Sequence, residues 1–196
     1  MRLDEYTVGA YSPGAPLWKQ IMWYYVGSPL LSSYAIVDSG FKCWILRCFG
    51  AEVGIGVRIK HGVRVKFPWR LVVKDFVWLG ENCWIDNIAL VTIESHSCLS
   101  QDVYLCTGNH DWQDPSFQLK DMPIHIGEGC WIAARATVGP GVTIGHGAVL
   151  CLASVAGRSL DPMIVYAGNP AQPIKERKLT EEFRFLPILP ILAQQF

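Results

Sequence analysis

Ile126-Gly127-Glu128-Gly129-Cys130-Trp131-Ile132-Ala133-Ala134-Arg135-Ala136-Thr137-Val138 decides the fold, because an aliphatic residue returns at every sixth position and does so again at Ile144 and Leu150. The next residue of each hexad is small (Gly127, Ala133, Gly139, Gly145, Cys151), and the fifth is small or β-branched (Cys130, Ala136, Val142, Ala148, Ser154). Working outward, the spacing recurs at Val53, Ile59 and Val65, at Leu79 and Ile85, and at Ile93, Leu99 and Leu105, with two-residue slips between blocks. Such a period fits neither a 3.6-residue helix nor an open-ended alternating strand; it fits a short strand followed by a corner. Three such units close a triangular coil, and about five coils stack at about 4.8 Å with the aliphatic columns as the core. The expected fold is an all-β solenoid, a parallel β-helix over residues 51–166, with the small residues turning its corners. Residues 1–50 form an N-terminal cap, and residues 167–196 a C-terminal cap and tail.

Composition narrows the function. In 196 residues, 17 Lys and Arg balance 17 Asp and Glu, which excludes a basic nucleic-acid binder. The seven cysteines are odd in number and none are spaced as CxxC, so they read as reduced thiols in a cytoplasm. Gly139-Pro140-Gly141 recurs with the hexad and does not open a helix after a single strand, which excludes a dinucleotide fold. The histidines lack zinc spacing and no acidic cluster accompanies them, so no metal is expected. A carbonic anhydrase, which needs three converging histidines, is disfavoured on the same ground.

The repeat breaks once at length. After Cys106-Thr107-Gly108-Asn109-His110 the chain leaves the hexad over residues 111–123 and returns at Ile126. An insertion into a solenoid becomes a loop on one face, and His110 stands at its base. Imidazole titrates near neutral pH, so a histidine on a rigid coil suits general-base work on a hydroxyl, with Asp111 or Asp114 as candidates to orient it.

The solenoid's exposed ends need covers. Gln20 to Val37 carry no charge, but Gly27-Ser28-Pro29 and Ser32-Ser33 interrupt the run, which favours a broken helical cap over a membrane span. Beside it Arg58, Lys60, Arg64, Lys66, Arg70 and Lys74 have no acid between them, which would spread positive charge around that end and suit peripheral contact with the inner face of a membrane. The tail from Phe183 to Phe196, broken by Pro187 and Pro190, is expected to pack on its own or a neighbouring subunit.

The hexad array, Thr107-Gly108-Asn109-His110-Asp111 with its loop, the Cys-Trp-Ile coils and the closing Tyr166-Ala167-Gly168-Asn169-Pro170-Ala171 together resemble the left-handed β-helix acyltransferases. The likeness is greatest to colanic acid biosynthesis acetyltransferases, relatives of maltose and galactoside O-acetyltransferases. It implies a left-handed coil and a homotrimer with active sites between subunits. It implies acetyl transfer from acetyl-CoA to a saccharide hydroxyl, in exopolysaccharide or surface-glycan synthesis, with His110 as base. By the same resemblance, Trp131 lines the acetyl and pantetheine channel, and backbone amides around Ala133, Ala134 and Ala153 bind pantetheine or the oxyanion. Gly168, Asn169 and Pro170 close the channel, and Lys175 and Arg177 with Lys178 meet the phosphates of CoA. Asp86, Asn87, Asn109 and Asp111 hold the acceptor, which is a free or lipid-linked sugar. The residues alone also leave open a trimeric scaffold without enzyme activity and an N-acetyltransferase acting on an amino sugar. The chain shows neither the helical module of serine acetyltransferases nor a nucleotidylyltransferase domain, which favours sugar over serine.

Overall fold

A computed structural model describes residues 2–179 as a triangular parallel β-solenoid with a helical cap at one end. Five strands stack on the first face, ending at Val53, Val73, Ile93, Ile126 and Ile144. The second face stacks Arg58–Ile59, Trp78–Leu79, Cys98–Leu99, Trp131–Ile132, Val149–Leu150 and Ile164–Ala167, and Gln172–Glu176 closes it antiparallel. The third stacks Arg64–Val65, Trp84–Asp86, Tyr104–Cys106, Thr137–Val138 and Val155–Ala156. Five coils are complete and a sixth begins, joined to the fifth by a bridge from Ile144 to Leu160.

Each inward position sits over its counterpart in the next coil, so Ile59, Leu79, Leu99, Ile132 and Leu150 form one closed column, all at most 1% exposed. The fifth residues of the hexads, among them Cys130, Ala136, Val142 and Ala148, are buried beside these columns. Val73 fills the position that a two-residue slip conceals in the sequence.

The small residues serve close approach and not the turn. A Cβ on Gly127 would lie 2.7 Å from the His146 nitrogen of the next coil. The bends come two residues later, at left-handed positions: Gly56, Phe76, His96, Gly129, Gly147 and Met163 at one corner, Gly62, Asn82, Asp102, Arg135 and Ala153 at the next.

The slips all fall at the third corner, between the third and first faces. There Asn87, fully buried, donates its amide to the Phe67 and Arg70 carbonyls and accepts from Phe67 N–H. Thr107, also buried, accepts from Ala89 N–H and donates to the Asp86 carbonyl. Buried polar side chains thus satisfy the backbone that an enlarged corner frees.

The cap runs through α1 (Leu17–Met22), a π-helical turn (Trp23–Gly27), α2 (Ser28–Ser32) and α3 (Ser39–Cys48). Gly27-Ser28-Pro29 does not break the helix as expected. The wide turn lets Ser28 N–H reach back to Trp23 and absorbs the missing amide of Pro29, while Gly27 leaves room for the Trp23 ring. Helix α3 covers the open edge of the first coil. Ser39, Lys42, Cys43 and Arg47 recur on one side and donate to the carbonyls of Ile59, Lys60, Val57, and Val53 with Gly54. Burial pulls the Lys42 ammonium below its usual range. No helix among the described residues is long and apolar enough to cross a membrane.

The basic residues do not make the free ring of charge expected from their register. The guanidinium groups of Arg58 and Arg64 lie 4.6 and 4.5 Å over the rings of Trp78 and Trp84, Arg70 is held by the Ser12 carbonyl, and Lys66 pairs with Asp86 at 2.9 Å. The tail from Phe183 lies outside the described residues.

Truncating the middle of a column tests the core directly. Leu99→Ala is expected to destabilise the fold by about 2–5 kcal/mol, read from denaturant unfolding, since rigid coils above and below limit collapse into the cavity.

Candidate active site

The excursion after Leu105 is a β-hairpin arm. Gly108–His110 pairs antiparallel with Leu119–Asp121, His110 facing Leu119. It leaves the solenoid at the third corner, where Thr107 and Asn87 already brace the chain. Asp111 binds Lys120 at 2.7 Å across the arm, and this partner holds its carboxyl below the ordinary range. Asp114 accepts from the N–H and hydroxyl of Ser116. Neither aspartate orients His110.

That role falls to Phe117. The His110 ring stacks on the Phe117 ring, centroids 4.2 Å apart and planes within 2°, and His110 Nδ1 lies 2.9 Å from the Phe117 carbonyl oxygen. A carbonyl only accepts, so Nδ1 carries the proton and Nε2 is left with a free lone pair. The ring of Tyr6 stands 5.8 Å away, on an N-terminal segment whose Arg2 N–H binds the Pro115 carbonyl at 2.8 Å. Asn109 is exposed, and its side-chain oxygen accepts from His110 N–H.

Asp86 reaches the base of the arm, paired across strands with Cys106. Its carboxylate sits between Lys66 Nζ at 2.9 Å and the Tyr104 hydroxyl at 3.1 Å. Burial, joined by hydrogen bonding to Cys106 and the negative charge of Asp86, pushes the Tyr104 phenol up, so it remains a donor. Asn87 does not join the site, because every bond its amide makes is spent on the corner. Cys106 directs its thiol at the Gly108 carbonyl, 3.3 Å away. Burial pushes the Cys83 thiol up to about 12, which suits a core residue and not a nucleophile.

The residues expected to meet CoA gather elsewhere. Trp131 is half exposed on the second face, its indole N–H on Ser100 Oγ at 2.9 Å, in line with Val149, Val165 and Lys175. Beside this line Ala134, Ala153 and Gly168 mount one corner: Ala153 N–H binds the Ala134 carbonyl, and Gly168 N–H binds Ser154 Oγ. Two of the three expected amides are already spent, Ala133 on Leu150 and Ala153 on Ala134, whereas Ala134 N–H has no backbone acceptor among the described residues. Gly168-Asn169-Pro170 forms a turn, with Val155 N–H on the Gly168 carbonyl. Arg177 clasps the carbonyls of Gly129 and Gly147 at 2.8 and 2.9 Å through one guanidinium nitrogen, so it ties two successive coils together at one corner. Among the described residues no three His, Cys, Asp or Glu side chains gather as metal ligands.

The two groups of residues therefore lie apart within one chain. The arm with His110 leaves the corner between the third and first faces, and Trp131 lies on the second face, across the prism. Phe117, Tyr6 and Tyr104 are not legible as site residues: Phe117 lies in an excursion with no repeat to place it, and Tyr6 is far away in sequence.

A triangular solenoid interrupted by an arm bearing one oriented histidine defines a class, and the chain belongs to the hexapeptide-repeat acetyltransferases. The bacterial transferase hexapeptide family (six repeats) matches residues 123–151. The chain is 39% identical over 179 residues to the Escherichia coli K12 protein named as a colanic acid biosynthesis acetyltransferase, WcaF, covering 91% of this chain and 98% of that one. Among solved structures it resembles a maltose O-acetyltransferase from Clostridium difficile 630, with TM-score 0.74, 23% identity, and 83% and 89% of the two chains covered. It likewise resembles a galactoside acetyltransferase in complex with coenzyme A, with TM-score 0.74, 19% identity, and 89% and 88% covered. These two likenesses bear on the fold.

The geometry at Phe117 fixes the tautomer of His110. Nitrogen NMR of the neutral imidazole is expected to find the proton on Nδ1 and a bare Nε2; the opposite tautomer would contradict this arrangement.

Proposed function

We propose that the protein transfers an acetyl group from acetyl-CoA to a hydroxyl of a saccharide in surface-glycan or exopolysaccharide synthesis in the cytoplasm. The observation that carries the mechanism is the bond from His110 Nδ1–H to the Phe117 carbonyl, which leaves Nε2 as the proton acceptor. As the acceptor oxygen attacks the thioester carbonyl, its proton passes to Nε2. The tetrahedral intermediate then expels CoA, whose sulfur takes the proton back from the imidazolium. Asp86, steadied by Lys66 and Tyr104, accepts from a hydroxyl of the sugar, and Asn109 and Asp111 border it on the arm. On the donor side Trp131 packs against the pantetheine arm, Ala134 N–H donates to it or to the oxyanion, Gly168-Asn169-Pro170 closes the channel and Lys175 meets a phosphate.

The separation of His110 from Trp131 within one chain supports a homotrimer in which each cleft takes His110 from one copy and Trp131 from the next. Peripheral membrane contact draws its support from the cap, where Leu17, Trp18 and Tyr25 are each about 70% exposed.

His110→Ala is expected to lower acetyl transfer by about 10²- to 10⁴-fold with CoA binding retained, measured by mass spectrometry on a panel of free, nucleotide-linked and lipid-linked sugars. A variant that still turns over at the parent rate would remove the assignment. Trimers assembled from a mixture of His110→Ala and Trp131→Ala chains are expected to recover activity that neither variant shows alone, since some clefts then pair two intact residues. Recovery would fail if both residues act within one chain.

A further inference from the structure

A cleft of about 510 Å³ runs between the cap helix and the third face, and the mechanism above does not use it. It is lined by the strand Arg64–Val65 with Lys66 and Phe67, by Trp69 and Trp84, and by Trp23 and Tyr24 of the cap. Among the described residues no acidic side chain lines it. The cleft ends where Lys66 Nζ meets Asp86, the residue placed on the acceptor side, and the stacked rings of Trp84 and Tyr104, 4.7 Å apart, continue from one to the other.

The two cations differ in what they have left to offer. Lys66 spends one donor on Asp86 and keeps the others. Arg64 has its guanidinium carbon 4.5 Å from the centre of the Trp84 ring and forms no ion pair among the described residues, so its charge is left to meet an anion. An uncharged sugar would not call for an unpaired arginine on an aromatic wall. A bare hydrocarbon would not call for two cations. A phosphate ester joined to an apolar or planar group satisfies both demands: the phosphate at Arg64 and Lys66, the apolar part among Phe67, Trp69, Trp23 and Tyr24.

We propose that this cleft binds the phosphate-bearing carrier of the acceptor, so that the protein acetylates a sugar still attached through phosphate to an apolar or planar group. The inference rests on the acetyl-transfer reading for the identity of the sugar's site, but the cleft's ligand can be tested without any reaction. Two carriers share this chemistry, a polyprenyl phosphate and a nucleoside diphosphate.

The test uses the full-length protein, titrated by tryptophan fluorescence and calorimetry with three probes: dodecyl phosphate below its micelle concentration, uridine diphosphate, and uncharged dodecyl glucoside. One phosphate probe is expected to bind at one site per chain, at least tenfold more tightly than the glucoside. Tighter binding of dodecyl phosphate assigns the lipid carrier, and tighter binding of uridine diphosphate the nucleotide. Arg64→Gln is expected to weaken that probe at least tenfold while CoA affinity and melting temperature stay at parent values. Tyr24→Ser, on an exposed ring, is expected to weaken it too. Binding of phosphate probes no better than the glucoside, or binding indifferent to Arg64→Gln, would overturn the proposal. If free sugars are acetylated and neither phosphate probe binds, this inference fails alone. If the probes bind as expected and no saccharide is acetylated, the acetyl-transfer reading fails and the cleft stands.

Discussion

Everything in this molecule depends on like stacking over like. A side chain in one coil must fit against its counterpart above and below, so Leu79, Leu99, Ile132 and Leu150 are constrained together. The column tolerates no change of register, because a one-residue slip would turn the inward residue out. Two corners are accordingly kept to one length throughout. Variation is confined to the third, and the arm that bears His110 grows from the same corner as the two-residue slips. The enlarged corners of the first two coils and the arm of the third solve one problem, how to add residues without disturbing a column: the corners satisfy their freed backbone with the buried side chains of Asn87 and Thr107, and the arm pairs its own backbone as a hairpin.

The fold was legible because the column writes itself into the sequence as a period. The corners were only half legible. Small residues such as Gly127 marked the right places, but the bend itself is carried by residues as different as Gly129, His96, Phe76 and Arg135, and no composition rule finds those. Val73 was missed because the slip hides it, and the helix through Gly27-Ser28-Pro29 was missed because a π-helical turn can absorb a proline that an α-helical turn cannot.

The candidate site was legible in its histidine and less so in its surroundings. His110 stood out by position, at the point where the period failed. What orients it did not, because the partner is a backbone carbonyl, and a backbone carbonyl has no letter in the sequence. The expected contacts that the structure redirects share a cause. Asn87, Ala133, Ala153 and Arg177 all have hydrogen-bonding groups, and in a stacked coil those groups find the next coil before they find a ligand.

The segment around Tyr6 gives the arm a history in time. Residues 2–9 are synthesised long before Pro115 and Gln118, on which they lie. Their contacts with the arm cannot form until the chain has been made as far as Gln118. The surroundings of His110 thus join two stretches of chain that are made far apart in time, and the imidazole has its full set of neighbours only after both exist.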